Sequence, residues 1–94
     1  MKQTVETLSI KNLRPDPLQP RQEFQPDEMA RLIESIKKHG VMVPLAVEKQ
    51  GDGSYLILDG ERRFRAASEV KLKELPVIIY EPMEKIERLM TRFH

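Results

Sequence analysis

The joint at Leu58-Asp59-Gly60-Glu61 constrains this chain more than any other stretch. Before it, Tyr55 to Leu58 is a short apolar run that reads as a strand. After it, Phe64, Ala67 and Val70 recur at helical spacing. The periodicity switches across an Asp-Gly pair, a frequent turn pair, so a strand must turn here directly into a helix. That sets Arg62, Arg63 and Arg65 in the helix's first turns. A helix N-terminus carries partial positive charge and free N–H donors, so cations are out of place there by roughly a few tenths of a kcal/mol each. Three together point to an outside anion. Free N–H groups, a turn glycine and clustered guanidinium groups can jointly hold a phosphate. The alternative is a solvated helix whose arginines pair with Glu61, Glu69 and water.

Ninety-four residues make one small domain, spanning 1–94, large enough to bury a modest core. With 39% hydrophobic and 33% charged residues the chain is a globular rather than a disordered sequence. There is no cysteine, which removes disulfides and thiolate metal sites. The two histidines, His39 and His94, show no metal-ligand spacing. No apolar run approaches the roughly 20 residues of a membrane span, so no membrane partner is expected. Met1-Lys2-Gln3-Thr4 has no apolar signal core behind it, which favours the cytoplasm. Net charge is only +1, so anion binding must come from local placement of charge.

In order along the chain, Val5 to Ile10 reads as a first strand. Lys11 to Pro26 holds four of the seven prolines, Pro15, Pro17, Pro20 and Pro26, and reads as a stiff extended loop carrying Gln19 and Arg21. Pro26-Asp27-Glu28 opens a helix whose apolar face is Met29, Leu32, Ile33 and Ile36. Lys37, Lys38 and His39 suit its last turn, and Gly40 reads as a left-handed cap. Val41 to Pro44 is an apolar linker. Leu45 to Leu58, broken at Gln50-Gly51-Asp52-Gly53, reads as a hairpin. The arginine helix runs to about Val70, and Leu75 to Tyr80 is a last strand whose continuous apolar run predicts burial on both faces. Pro82 starts a closing helix over about 83–94, with Met83, Ile86, Leu89, Met90 and Phe93 on one side. That stripe suits packing on the domain's own core, a docking face or a homodimer seam. The order predicts an α+β fold, a small mixed β-sheet with segregated helices.

Little supports nucleophilic catalysis: Ser9, Ser35, Ser54 and Ser68 lie in no nucleophile-elbow pattern, and there is no Walker-type loop. Asp59 and Glu61 could hold Mg²⁺ beside a bound polyphosphate. Asp59 more simply shapes the turn, which leaves Glu61 as the candidate for chemistry.

Gly60-Glu61-Arg62-Arg63-Phe64-Arg65-Ala66 resembles the Gly-Glu-Arg-Arg-x-Arg-Ala motif of the ParB family of chromosome and plasmid partition proteins. Pro17 to Phe24 resembles the family's Asn-Pro-x-Gln-Pro-Arg-x-x-Phe stretch, with Asp16 in place of Asn. Leu32 to Leu45 is similar to its Leu-x-x-Ser-Ile-x-x-x-Gly-x-x-x-Pro run, with Ser35, Ile36, Gly40 and Pro44. The three blocks stand in the family's order and cover roughly residues 8 to 80. The resemblance implies a ParB/sulfiredoxin-like fold and a CTP-binding, slowly CTP-hydrolysing switch. By it, Gly60, Glu61, Arg62 and Arg63, with Arg65 in the same motif, face the triphosphate and its Mg²⁺. Gly40 to Pro44 lie near the base and ribose, and Gln19 and Arg21 line the same pocket. The family's later Glu-Asn-x-x-Arg segment has no clean counterpart. Glu84-Lys85-Ile86-Glu87-Arg88 keeps the Glu-to-Arg spacing without the Asn. Partition proteins continue into a DNA-reading helix-turn-helix and a dimer domain. The expectation is therefore a piece of a longer, nucleoid- or plasmid-associated protein, or a stand-alone regulator, with no sequence-specific DNA binding by this chain alone. Two other readings stay open: a nuclease or phosphotransferase using Glu61 with Mg²⁺, and a non-enzymatic module gripping DNA or protein. A nuclease would call for a denser acid or His cluster than Asp59 and Glu61 offer. Sulfiredoxin chemistry would need a cysteine.

Overall fold

The computed structural model describes residues 4–17 and 25–82. Gln19, Arg21 and the closing helix expected over 83–94 lie outside the described residues. Strand β1 is Val5–Ser9, followed by a 3-10 turn, Ile10–Asn12, and strand β2, Leu13–Arg14. Helix α1 is Pro26–His39, β3 is Leu45–Lys49, β4 is Tyr55–Asp59, α2 is Glu61–Glu69 and β5 is Glu74–Tyr80. The strands form one mixed sheet in the order β1-β5-β3-β4-β2. β1 runs antiparallel to β5 and β3 antiparallel to β4, while β5 with β3 and β4 with β2 are parallel. This is the expected α+β class.

The connection from β1 to β2 shapes the sheet. The two strands occupy opposite edges yet are joined only by Ile10–Asn12. In a flat sheet four interstrand steps separate the edges by about 19 Å. Ser9 to Leu13, fully extended, reaches about 14 Å, and a 3-10 turn reaches less. The sheet must therefore curl until its edges approach. Ser9 Oγ accepts from the Lys11 N–H at 3.3 Å, and Arg14 Nη1 donates to the Lys11 carbonyl at 2.6 Å, which pins the turn.

Inside the curl lies the core: Leu13, Leu45, Val47, Ile57, Leu75 and Val77 from the strands and Ala67 from α2. α2 is amphipathic as its spacing predicts, and α1 packs on it. Ile36 is the buried member of the α1 stripe. Ala66 and Ala67 are fully buried, and their small side chains let α2 sit close to its neighbours.

Several sequence expectations need correction. Lys11 to Pro26, read as loop, contains the 3-10 turn and β2, and Leu13 is a core residue. A two-residue strand shows no alternation, and its pairing with Tyr55 and Leu56 is non-local. Gly40 does cap α1 with positive φ, but at φ 71, ψ −171 it is extended beyond the left-handed helical region. β5 is an interior strand, yet only Leu75 and Val77 are buried; Ile78 and Tyr80, on the face away from the core, are half-exposed.

α2 ends unusually. The Leu72 N–H donates to the Ala67 carbonyl and the Lys71 N–H to the Ser68 carbonyl, both at 3.1 Å. This is the paired closure that normally places glycine in the left-handed position. Here Lys71 takes it, at φ 61.

Candidate functional site

The site is built from the β4–α2 joint. Asp59 pairs with Ala46, while Ile57 pairs with Val47, so Leu58 is an extra residue in β4. Such a bulge bends its strand and aims the chain into α2. Gly60 then takes φ 105, ψ 20. A Cβ there would lie 2.7 Å from Leu45 Cγ and 3.1 Å from Arg63 Nη1, so both conformation and space require glycine.

Among the described residues no side chain caps α2, and its first internal bond is Phe64 N–H to the Gly60 carbonyl at 2.9 Å. The N–H groups of Glu61, Arg62 and Arg63 therefore precede the helix ladder. Around this end the predicted residues divide by environment. Arg63 is half-buried, and its Nη1 is buried with no hydrogen-bond partner among the described residues. Glu61 is only 9% exposed, and among the described residues neither carboxylate oxygen accepts a hydrogen bond; its ion pair is Arg65 Nη2, one helical turn on, at 3.8 Å. Arg62 is half-exposed and reaches Glu28 Oε1 on α1 at 3.7 Å. The expected pairing of arginines with nearby acids is thus real for Arg65 and Glu61, and among the described residues absent for Arg63. A buried guanidinium nitrogen without an acceptor is costly and marks where an acceptor would be stabilised.

Pro44 stands immediately before Leu45, whose side chain abuts Gly60, so it arrives at the site. Gly40 opens the same connection at the end of α1. Between them Met42 is 79% and Val43 55% exposed. In the sequence these two stand only as part of an apolar linker. The signal for them was an apolar pair between a glycine cap and a proline, outside any periodic face. Glu28 was seen as a helix-start acid; its reach to Arg62 crosses two helices and has no local signature. No three His, Cys, Asp or Glu side chains gather as a metal site among the described residues, so any cation here would lean on Glu61 and on its ligand's own oxygens.

The family model "ParB N-terminal domain" matches residues 1–91. Stage 0 sporulation protein J of Bacillus subtilis is 45% identical over 86 residues, covering 92% of this chain and 30% of that protein. Chromosome-partitioning protein ParB of Myxococcus xanthus is 44% identical, covering 82% of this chain and 26% of that protein. The chain thus spans under a third of these curated relatives. Among solved structures, C-terminally truncated ParB from Caulobacter crescentus complexed with CTP-gamma-S superposes with TM-score 0.85 at 33% identity, over 96% of this chain and 51% of that one. Sulfiredoxin from Arabidopsis thaliana, at TM-score 0.71 and 22% identity, covers 97% of this chain and 98% of that one, and shares the fold. With the Gly60-to-Ala66 motif seated at the β4–α2 joint and nearly the whole chain matched, this protein belongs to the ParB N-terminal domain family.

Proposed function

We propose that this chain is a CTP-binding domain of a ParB-type chromosome-partitioning protein, with the triphosphate held at the N-terminus of α2. The observation that carries the reading is the buried Arg63 Nη1, lacking an acceptor beside an uncapped helix start. The Caulobacter relative, itself complexed with CTP-gamma-S, supports the choice of nucleotide. Gly60 lets the backbone approach the phosphates closely. The N–H groups of Glu61, Arg62 and Arg63 donate to phosphate oxygens, and Arg63 closes on them as a charged donor. Arg62, half-exposed on its Glu28 contact, swings to the outer phosphates, and Arg65 keeps Glu61 in place. Met42 and Val43 offer apolar cover for the base, with Gly40 and Pro44 setting their loop. Gln19 and Arg21 complete the pocket by family resemblance.

Mg²⁺ fits this donor set. Magnesium beside nucleotides takes one or two carboxylates plus phosphate oxygens, and Glu61 presents a carboxylate with no hydrogen-bond donor of its own. The ion would neutralise phosphate charge. Slow hydrolysis, with the Glu61 carboxylate as its catalytic group, is the remaining part of this proposal.

The test is calorimetric titration of the chain with CTP, ATP and GTP in Mg²⁺. Binding selective for CTP, weakened at least about tenfold in Arg63→Ala and in Arg62→Ala, is the expected result, since a hydrogen bond to a charged group is worth about 1.5–3 kcal/mol. Wild-type affinity in either folded variant would overturn the phosphate assignment.

A further inference from the structure

At the opposite end of α2 from Gly60 there is a second concentration of positive charge. A cleft of about 520 Å³ is lined by Ser9, Lys11, Ser68, Lys71, Lys73 and Glu74, with Ile10 and Leu72 at its base. Three separate segments converge on it: the end of β1 with the 3-10 turn, the end of α2, and the approach to β5. The three lysines are exposed, and among the described residues none forms an ion pair. Glu74 is the single acid in the lining. The carbonyls of Ala66, Ala67 and Ser68 at the end of α2 are already served by backbone N–H groups, so no lysine is needed to cap them.

We propose that this cleft binds the phosphodiester backbone of nucleic acid, independently of sequence and of the nucleotide site. Lysines are compact point charges suited to phosphates along a strand, and they confer affinity without reading bases. Ser9 Oγ accepts from the Lys11 N–H, which leaves its own proton for a phosphate oxygen. An acidic protein segment fits less well. Protein docking draws its affinity from apolar anchors in pockets, and here Ile10 and Leu72 already pack on the core. Lys71 adds a further pointer. It holds a backbone conformation that glycine would adopt freely, and so keeps an ammonium group at the rim.

The experiment is fluorescence anisotropy of the 94-residue chain with a labelled duplex of arbitrary sequence, starting near about 20 mM salt, where three phosphate contacts suffice to detect binding. Wild type should bind with a log K against log salt slope of about −2.7, and Lys11→Gln/Lys71→Gly/Lys73→Gln should lose most of the slope and at least about tenfold in affinity. All three positions are exposed and Lys71→Gly relieves strain, so the variant keeps its fold, checked by its thermal transition. Arg63→Ala and saturating CTP should leave duplex binding unchanged, which separates this site from the one at Gly60. The proposal fails if wild type does not bind, if the triple variant keeps wild-type affinity and slope, or if Arg63→Ala or CTP removes the binding. It fails equally if poly-glutamate of matched charge displaces the duplex at equal concentration.

Discussion

Gly60 has room for a hydrogen and nothing larger. Gly60→Ala would force a Cβ to 2.7 Å from Leu45 Cγ at a φ of 105, and should cost about 2–4 kcal/mol from overpacking and left-handed strain together. Urea denaturation reads this directly. Leu45→Ala, in a fully buried position, should cost about 2–5 kcal/mol alone. Because it removes the clashing Cγ, the double variant should be less destabilised than the sum, by at least about 0.5 kcal/mol; strict additivity would show that Leu45 does not confine Gly60. Lys71→Gly should move the other way, raising stability by about 0.5–1 kcal/mol as its left-handed backbone relaxes. The arginine cluster was legible in sequence because its meaning is local: a strand, a turn glycine and a helix start fix where it lies. The Leu45 contact and the Lys71 conformation were not, since one joins β3 to the start of α2 across the hairpin and the other defies the residue preference that would reveal it.

Among the elements, the β3–β4 hairpin carries a titrating turn. Asp52 Oδ1 accepts from the Ser54 hydroxyl at 2.6 Å and from the Ser54 N–H at 3.0 Å, and these bonds hold its carboxyl below the ordinary aspartate range. A depressed carboxyl stabilises the fold fully above its unfolded-state value. That stabilisation is lost as pH falls through the lower folded value. Asp52→Asn should therefore remove that increment at neutral pH, leave stability below the folded value unchanged, and so flatten part of the acid limb; an identical acid limb would mean the turn bonds carry no linkage. The hairpin was readable from Gly51-Asp52-Gly53 between apolar runs, and α1 from its proline start and apolar stripe. β2 was not, because two residues in a proline-rich stretch hold no period, and their strand character exists only through β4. Between the helices, Arg62 and Glu28 meet with both side chains about half exposed. Glu28→Gln should change stability by less than about 1 kcal/mol, so any marked effect on CTP affinity would come through Arg62 rather than through unfolding.

For the whole molecule, the α+β class followed from element order, and family membership from three motif blocks in register. The strand order did not. Which edge β1 occupies is decided by β5, far along the chain, and no local pattern encodes that choice. If CTP binds only the folded chain, a hundredfold excess over its Kd should raise stability by about 2.7 kcal/mol, seen as a thermal shift that Arg63→Ala abolishes. An equal shift in the variant would place the ligand elsewhere.

The pairing of β1 with β5 also sets a timetable. β1 is synthesised well before its partner strand, so Val5–Ser9 has no sheet neighbour until Glu74–Ile78 has been made. At typical rates of synthesis that wait is on the order of several seconds. During it β3 and β4 can already join as a hairpin, while the curled sheet stays open at one side. A nascent chain arrested just before Glu74 should therefore display β1 to protease, and one arrested well beyond Tyr80 should protect it.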